Sequence, residues 1–217
     1  MIEEWSEPEH AGWYLSIADR FPHRKEGEAV VLEQIPQDVQ RVLDLGTGDG
    51  RLLAMILSVR PGASGVALDG SEPMLEAAVA RFAGIDAVKV LAHDMARPLP
   101  DLGTFDAVVS SFAIHHLEHE RKLQLYSEIF RILEPGGVFC NLEHVSSPTP
   151  TLHARWRRSL GIDGEREDAS NRCLDVRTQL DWLREIGFAD VDCYWKWMEM
   201  ALLCGLKANP ASGVGER

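Results

Sequence analysis

The stretch Val42-Leu43-Asp44-Leu45-Gly46-Thr47-Gly48-Asp49-Gly50 sets an acid two positions ahead of three glycines at alternate places. Glycine accepts positive φ and lets a ligand approach the main chain. Arg41 to Leu45 reads as a short buried strand and Arg51 to Leu57 as the helix that follows, so the glycines form the turn between them. Unpaired amides and the positive end of a helix dipole meet at such a turn, and the combination suits a phosphate or a carboxylate. Two more acids, Asp69 and Asp94, stand at the ends of the second and third apolar runs. Proton transfer has its own candidates in His115 and His116, behind the fourth run, and in Glu143 with His144, at the end of the fifth. Arg155, Arg157 and Arg158 form a basic cluster, with Arg166, Arg172 and Arg177 beyond it. Grouped arginines can grip a carboxylate or phosphate through two parallel hydrogen bonds. Each candidate has a plain structural role as well: helix-start packing for the histidines, a solvated strand end for Glu143-His144, and an ion-paired helix face for the arginines, since Glu165, Glu167 and Asp168 are interleaved with them.

The elements that must position these residues follow a simple rhythm. From Arg41 onward, short apolar runs alternate with longer helical patterns, as in a doubly wound α/β sheet. Strands are expected at 41–45, 64–69, 87–91, 105–110 and 138–143. Between them come a helix beginning near Gly50 and ended by Pro61-Gly62, and a helix capped by Ser71 that runs to about Ala83 with Pro73 in its first turn. A third helix, 119–133, carries Leu123, Tyr126, Ile129, Phe130 and Leu133 at helical spacing and is stopped by Pro135-Gly136-Gly137. A Ser-Pro-Thr-Pro turn at 147–150 closes this part. A charged segment, 151–171, then precedes a helix from about Val176 to Ile186 with Gly187 as its C′ residue. Two strands finish the pattern, Ala189 to Trp195 and Met198 to Leu206, with Trp195 and Trp197 on one face. The first 36 residues read as two helices broken near Phe21-Pro22.

A chain of 217 residues fits one large domain. Its expected parts are an N-terminal helical lid (1–36), a ligand-binding core (40–145), a cap or substrate insertion (146–175) and a closing helix with two strands (176–208). Lys plus Arg number 22 against 34 Asp plus Glu, so the net charge of -12 repels nucleic acid and anionic membranes unless a local basic patch overrides it. Cys140, Cys173, Cys193 and Cys204 show no Cys-x-x-Cys pair, which points to reduced thiols and to no metal site. The acidic N-terminus lacks the basic start and apolar run of a secretory signal, and no apolar stretch nears the roughly 18 residues of a membrane span. A soluble, cytoplasmic protein is the expectation.

An open α/β sheet holds nucleotide-type ligands at the carboxyl ends of its strands. A dinucleotide fingerprint, G-x-G-x-x-G, starting at Gly46 would need glycine at position 51, where Arg51 stands. The observed D-x-G-x-G-x-G, with acids ending the next two strands, suits instead a zwitterionic amino acid joined to an adenosine. In that reading Asp44 receives an ammonium, the turn's amides a carboxylate, Asp69 both ribose hydroxyls and Asp94 the exocyclic amine of adenine. Met74 and Met95 cover the ring.

These stretches, together with Ala67-Leu68-Asp69, His93-Asp94-Met95, Phe105-Asp106-Ala107-Val108-Val109-Ser110 and Leu133-Glu134-Pro135-Gly136-Gly137, resemble the class I S-adenosylmethionine-dependent methyltransferases that act on small molecules. The resemblance covers roughly residues 40–145. It implies a Rossmann-like seven-stranded sheet of order 3-2-1-4-5-7-6, its last strand antiparallel, with helices on both faces and an N-terminal helical lid. It implies S-adenosylmethionine as cofactor, leaving as S-adenosylhomocysteine, and a donor site of Asp44, Gly46, Thr47, Gly48, Gly50, Asp69, Gly70, Met74, His93, Asp94, Met95, Ser110, Ser111 and Tyr14. His115, His116, Glu143 and His144 become the catalytic candidates, and Trp13, Arg155, Arg158 and Arg172 the substrate-binding ones. The implied partner is a small molecule; nucleic acid is disfavoured by charge, and a homodimer is compatible with the sequence.

Methyl transfer is an in-line displacement on an already activated sulfonium, so positioning alone can supply about 7–11 kcal/mol. A base helps only where the nucleophile must lose a proton. The segment Ser110-Ser111-Phe112-Ala113-Ile114-His115-His116-Leu117 lacks the Asn/Asp-Pro-Pro-Tyr/Phe signature of enzymes that methylate nucleobase amines. Rival readings are a tRNA wobble-modification enzyme using S-adenosylmethionine or a carboxylated derivative, a donor-binding protein without catalysis, and a nucleotide-dependent oxidoreductase.

Overall fold

Runs of consecutive buried residues, such as Val42 to Leu45 and Gly65 to Leu68, need cover on both faces of a sheet. The computed structural model, which describes residues 21–161 and 170–209, supplies it with helices on the two sides of one seven-stranded sheet. After helix α1 (Arg24–Gln34) come β1 (Arg41–Leu45), α2 (Arg51–Val59), β2 (Ser64–Asp69), α3 (Glu72–Arg81), β3 (Val88–Ala92) and β4 (Phe105–Ser111). A 3-10 turn (Ile114–His116) leads into α4 (His119–Ile132), β5 (Leu133–His144), α5 (Pro150–Ser159), α6 (Val176–Ile186), β6 (Ala189–Trp197) and β7 (Met200–Leu206). The strand order is β3-β2-β1-β4-β5-β7-β6. Pairing is parallel from β3 through β5, and β7 runs antiparallel to both neighbours. This is the Rossmann-like order that the resemblance implied.

Alternation along each strand sorts the side chains into two cores. Val42, Ala67, Val109 and Cys140 pack with Val31 of α1 and with Leu53 and Ile56 of α2. Leu43, Leu68, Val108 and Phe139 pack with Leu125 and Ile129 of α4 and Leu183 of α6. The register sets Leu45 level with both Leu68 and Ser110, so β1, β2 and β4 end together. The sheet order reverses between β1 and β4, which opens a crevice at those ends.

Several boundaries depart from the sequence reading. Leu133 already pairs with Phe105, and a register irregularity precedes Ala107–Val138, so Pro135-Gly136-Gly137 lies in the distorted start of β5 rather than in a turn. The apolar stripe of α4 runs through Lys122, Leu125, Tyr126 and Ile129, leaving Leu123 and Phe130 half-buried. The charged stretch opens with α5, because Thr149 Oγ1 accepts from the Leu152 N–H and Pro150 fits the first turn. Helix α6 has Asp175 as N-cap and Gly187, at φ 114°, as its left-handed end. Trp195 and Trp197 share a face of β6, as alternation requires.

Of the two expected lid helices, only α1 falls among the described residues; Trp13 and Tyr14, residues 162–169 of the insertion, and 210–217 lie outside them. Among the described residues no helix is long and apolar enough to cross a membrane, and no group of His, Cys, Asp and Glu could hold a metal ion. The four cysteines are free thiols.

Candidate active site

A cavity of about 590 Å³ opens at the carboxyl ends of β1, β2, β3 and β4, a size suited to a small organic ligand. Of the residues that the sequence singled out, Asp44, Gly46, Thr47, Gly48, Asp69, Gly70, Met74, Asp94, Met95, Ser111 and His116 line it. Gly50, His93, Ser110, His115, Glu143, His144, Arg155, Arg158 and Arg172 do not.

The three glycines of the turn are bare for different reasons. All have positive φ, at 65°, 56° and 80° for Gly46, Gly48 and Gly50. A Cβ on Gly46 would stand 2.2 Å from Ala113 Cβ, and one on Gly50 2.4 Å from the Phe82 ring, so these two serve packing as well as the turn. A Cβ on Gly48 would meet nothing nearer than Met74 Sδ at 3.9 Å, and would project into open cavity. The turn's amides are also largely committed. Thr47 donates to Leu68 O at 2.9 Å, Gly48 to Asp69 Oδ2 at 2.8 Å, Gly50 to Thr47 O at 2.9 Å and Arg51 to Asp49 Oδ1 at 3.3 Å. Four amides of the turn are thus already bonded within the protein.

Asp44 is almost wholly buried. Its Oδ2 accepts from the Thr47 hydroxyl at 2.6 Å, while Oδ1 has no hydrogen bond of ordinary geometry among the described residues. Burial pushes its pKa up to about 7, with the Asp69 and Asp49 charges adding to the rise and the Thr47 hydroxyl and Leu53 amide opposing it. Ser111 Oγ, also on the cavity wall, is a second buried polar atom without a partner among the described residues. Asp69 accepts from the Gly48 and Ser71 amides, each at 2.8 Å, and burial raises its pKa against those bonds. A carboxylate has about four lone-pair sites, so Asp69 keeps acceptor capacity toward the cavity. Asp94 Oδ1 accepts from the Ala96 amide at 3.0 Å, which holds the carboxylate beside Met95.

Sequence reasoning missed the cationic rim. Arg24 of α1 and Arg51 of α2 line the cavity, and both engage the fully buried Glu28. Arg24 Nε donates to Glu28 Oε1 at 2.9 Å, and Arg51 donates from Nε at 2.8 Å to Oε1 and from Nη2 at 2.9 Å to Oε2. One carboxylate thus orders two guanidinium groups on the cavity wall. Arg51 was legible only as the residue that breaks the dinucleotide pattern; Arg24 and Glu28 carried no local signal beyond their i, i+4 spacing. Phe112, at φ 52°, is a non-glycine residue in the left-handed region, and its ring lies 5.3 Å from the Arg24 guanidinium on the cavity wall.

Behind His116 lies a buried polar cluster. The His116 ring centroid lies 3.9 Å from that of His115, the two planes tilted by 43°, and its Nδ1 meets Ser170 Oγ at 3.0 Å. His115 Nδ1 lies 2.7 Å from Oε1 of the fully buried Glu143. His144 instead turns its Nε2 to Glu199 at 3.1 Å, and Glu199 also holds His153 of α5 at 2.8 Å. Ser110 Oγ ties β4 to β1 through Leu45 O at 2.8 Å. His93 Nε2 is buried without a partner among the described residues. Arg155 and Arg158 are exposed on α5, and Arg172 pairs with Glu118 at 3.0 Å.

Comparison with known proteins bears on this geometry. Residues 42–137 match the model of the methyltransferase domain family. The demethylmenaquinone methyltransferase of Thermus thermophilus is 36% identical over 137 residues, covering 62% of this chain and 59% of that protein. The enzyme of the same name from Clavibacter sepedonicus is 32% identical over 169 residues, covering 70% and 67%. The chain thus spans about three fifths of the first relative's length and two thirds of the second's. The crystal structure of human N-acetylserotonin methyltransferase in complex with S-adenosylmethionine superposes with a TM-score of 0.68 at 16% identity, covering 94% of this chain and 58% of that one. With its strand order, its glycine turn and these relatives, the chain belongs to the class I S-adenosylmethionine-dependent methyltransferases.

Proposed function

We propose that this protein transfers a methyl group from S-adenosylmethionine to a small-molecule acceptor by in-line displacement. The observation that carries the reading is the pairing, in one cavity, of a buried carboxylate oxygen without a partner on Asp44 and the ordered Arg24–Arg51 pair. Together they form an anionic and a cationic subsite for the two ends of an amino acid. Bound there, S-adenosylmethionine supplies a methyl group on a sulfonium, already activated toward a nucleophile. Asp44 holds the ammonium, Arg24 and Arg51 hold the carboxylate, and Asp69 accepts from the ribose hydroxyls. Met74, Met95 and Leu117 enclose the adenine, with Asp94 toward its exocyclic amine. His116 faces the acceptor and takes its proton where the nucleophile carries one, with His115 and Glu143 behind it.

A thermal-shift panel of S-adenosylmethionine, S-adenosylhomocysteine and NAD tests the reading. Both adenosyl amino acids should raise the melting temperature by several degrees and NAD should leave it unchanged. Stabilisation by NAD alone would replace the reading with an oxidoreductase. Tight, salt-sensitive binding of tRNA would move the acceptor to RNA.

Asp44 gives a prediction with a defined sign. Its folded-state pKa near 7 exceeds the unfolded value of 3.8, so the native state binds the proton more tightly and loses stability from this group as pH rises from 4 to 7. Asp44→Asn should therefore raise the melting temperature at pH 8 by about 5 °C, with little change at pH 4. The same variant should bind S-adenosylhomocysteine at least tenfold more weakly. In the wild type, affinity should climb with pH and level off above about 7, because an ammonium favours the ionised carboxylate. Calorimetric titration at pH 5.5 and 8 checks the second point, and a flat profile would contradict it.

A further inference from the structure

Lys122 is a lysine on the buried face of α4, with about 1% of its surface exposed. Its Nζ donates to the carbonyl of Arg172, whose N–H in turn donates to His115 O at 2.9 Å. His115 is the imidazole bound to Glu143, and Glu143 is equally sealed from water. Three elements, α4, β5 and the 3-10 turn, therefore contribute a buried ammonium, carboxylate and imidazole, the ammonium acting on Glu143 through space and not through a direct ion pair. Lysine and glutamate are almost never fully buried unless they are paired. A methionine would fill the volume at lower cost, and anchoring one carbonyl does not require a charge.

Besides the His115 imidazole, Glu143 faces the following groups among the described residues. From β5 it accepts the His144 N–H at 2.8 Å and Asn141 Nδ2 at 3.3 Å. From α4, Tyr126 reaches it only through Asn141, and its hydroxyl, held by Gln179 Oε1 of α6 at 2.6 Å, stays neutral because burial drives its pKa upward. The His144 ring is turned to Glu199, at the β6–β7 turn, and its charge is a lesser influence on Glu143 than that of Lys122. The Arg172 guanidinium is turned to Glu118, at the surface. Among the described residues, Cys173, Glu118 and Arg172 are the other titratable groups that act on Lys122. Burial raises the pKa of Glu143 and lowers that of Lys122, and the charge of each opposes the shift of the other.

We propose that Lys122 is a positioning residue: its buried ammonium is the counter-charge that keeps Glu143 anionic beneath His115, and so equips the adjacent His115–His116 pair to receive a proton from the acceptor. The acceptor is then a molecule whose nucleophilic atom bears a hydrogen, such as a hydroxyl. In the step so supported, the methyl–sulfur bond breaks with its electron pair passing to sulfur, and a bond forms from the acceptor atom to the methyl carbon. The acceptor's proton passes to the His116 imidazole, and the Glu143 carboxylate offsets the charge through His115. This rests on the methyl-transfer reading for the acceptor, but not for the Lys122–Glu143–His115 coupling itself.

Histidine-labelled protein, titrated by NMR without any ligand, tests the coupling. Lys122→Met should lower the titration midpoint of His115 by about one unit or more, because Glu143 then takes up a proton and no longer favours the imidazolium. Lys122→Arg, which keeps the charge, should restore the midpoint. A folded Lys122→Met protein whose His115 titrates within about 0.3 units of the wild type would overturn the proposal. Should that variant fail to fold, carbon-13 labelling of glutamate in the wild type decides: Glu143 ionised at pH 7 supports the assignment, and Glu143 protonated at pH 7 refutes it. Neither measurement uses donor or acceptor, so failure of the methyl-transfer reading would show in the ligand panel and not here.

Discussion

Asp69→Ala should bind S-adenosylhomocysteine and 5′-methylthioadenosine about 100-fold more weakly than the wild type, and by the same factor for both. The two ligands share the adenosine and the thioether and differ in the amino-acid end, so a residue that serves the ribose must affect them alike. Two hydrogen bonds from hydroxyls to a carboxylate, at roughly 1.5–3 kcal/mol each, amount to a loss of this size or more. The fold should survive. Asp69 is half-buried, its charge is disfavoured by burial, and water can replace it at the Gly48 and Ser71 amides. Isothermal titration of both ligands, with circular dichroism as the control for folding, checks the outcome. Unchanged affinity in a folded variant would remove Asp69 from the ribose site.

Arg51→Gln should separate the same two ligands. Loss of a charge-assisted pair to the donor's carboxylate costs roughly 1.5–3 kcal/mol, or about 10- to 150-fold in affinity for S-adenosylhomocysteine. Methylthioadenosine, which lacks that carboxylate, should bind within about threefold of the wild type. The variant leaves Glu28 with Arg24 as an ordered partner, so the buried carboxylate is not stranded. Arg51→Lys should recover only part of the loss, because an ammonium cannot reproduce the two-pronged bond to Glu28 that fixes the guanidinium. Equal weakening of both ligands would show that Arg51 acts through the turn and not through the amino-acid end.

Taken with Asp44→Asn, these variants test the proposed division of the donor into three independently addressed parts: ammonium, carboxylate and sugar. The division also explains an arrangement that the glycine turn alone does not. Most of its amides are bonded within the protein, so the turn serves to carry Asp44 and Arg51 to the cavity wall and to leave Gly48 open beside them.

The linear chain by itself determined the sheet and the acids at its rim. Strands 41–45 and 64–69 and the helix 176–186 were readable to the residue because their signals are local: buried runs of fixed length, an acid or glycine at each end, and turn residues between. Only the tertiary structure decided which groups face one another across the cavity. Arg24, Glu28 and Arg51 come from two helices separated by a strand and meet because α1 and α2 pack on the same side of the sheet. Lys122 sits at helical spacing from Tyr126 and Ile129 and shares their buried face, although a charged side chain by itself favours the surface. Periodicity reports which face of an element is covered. What covers it, and whether a buried charge finds its counterpart, depends on contacts between elements far apart in the chain, and these carry no local pattern.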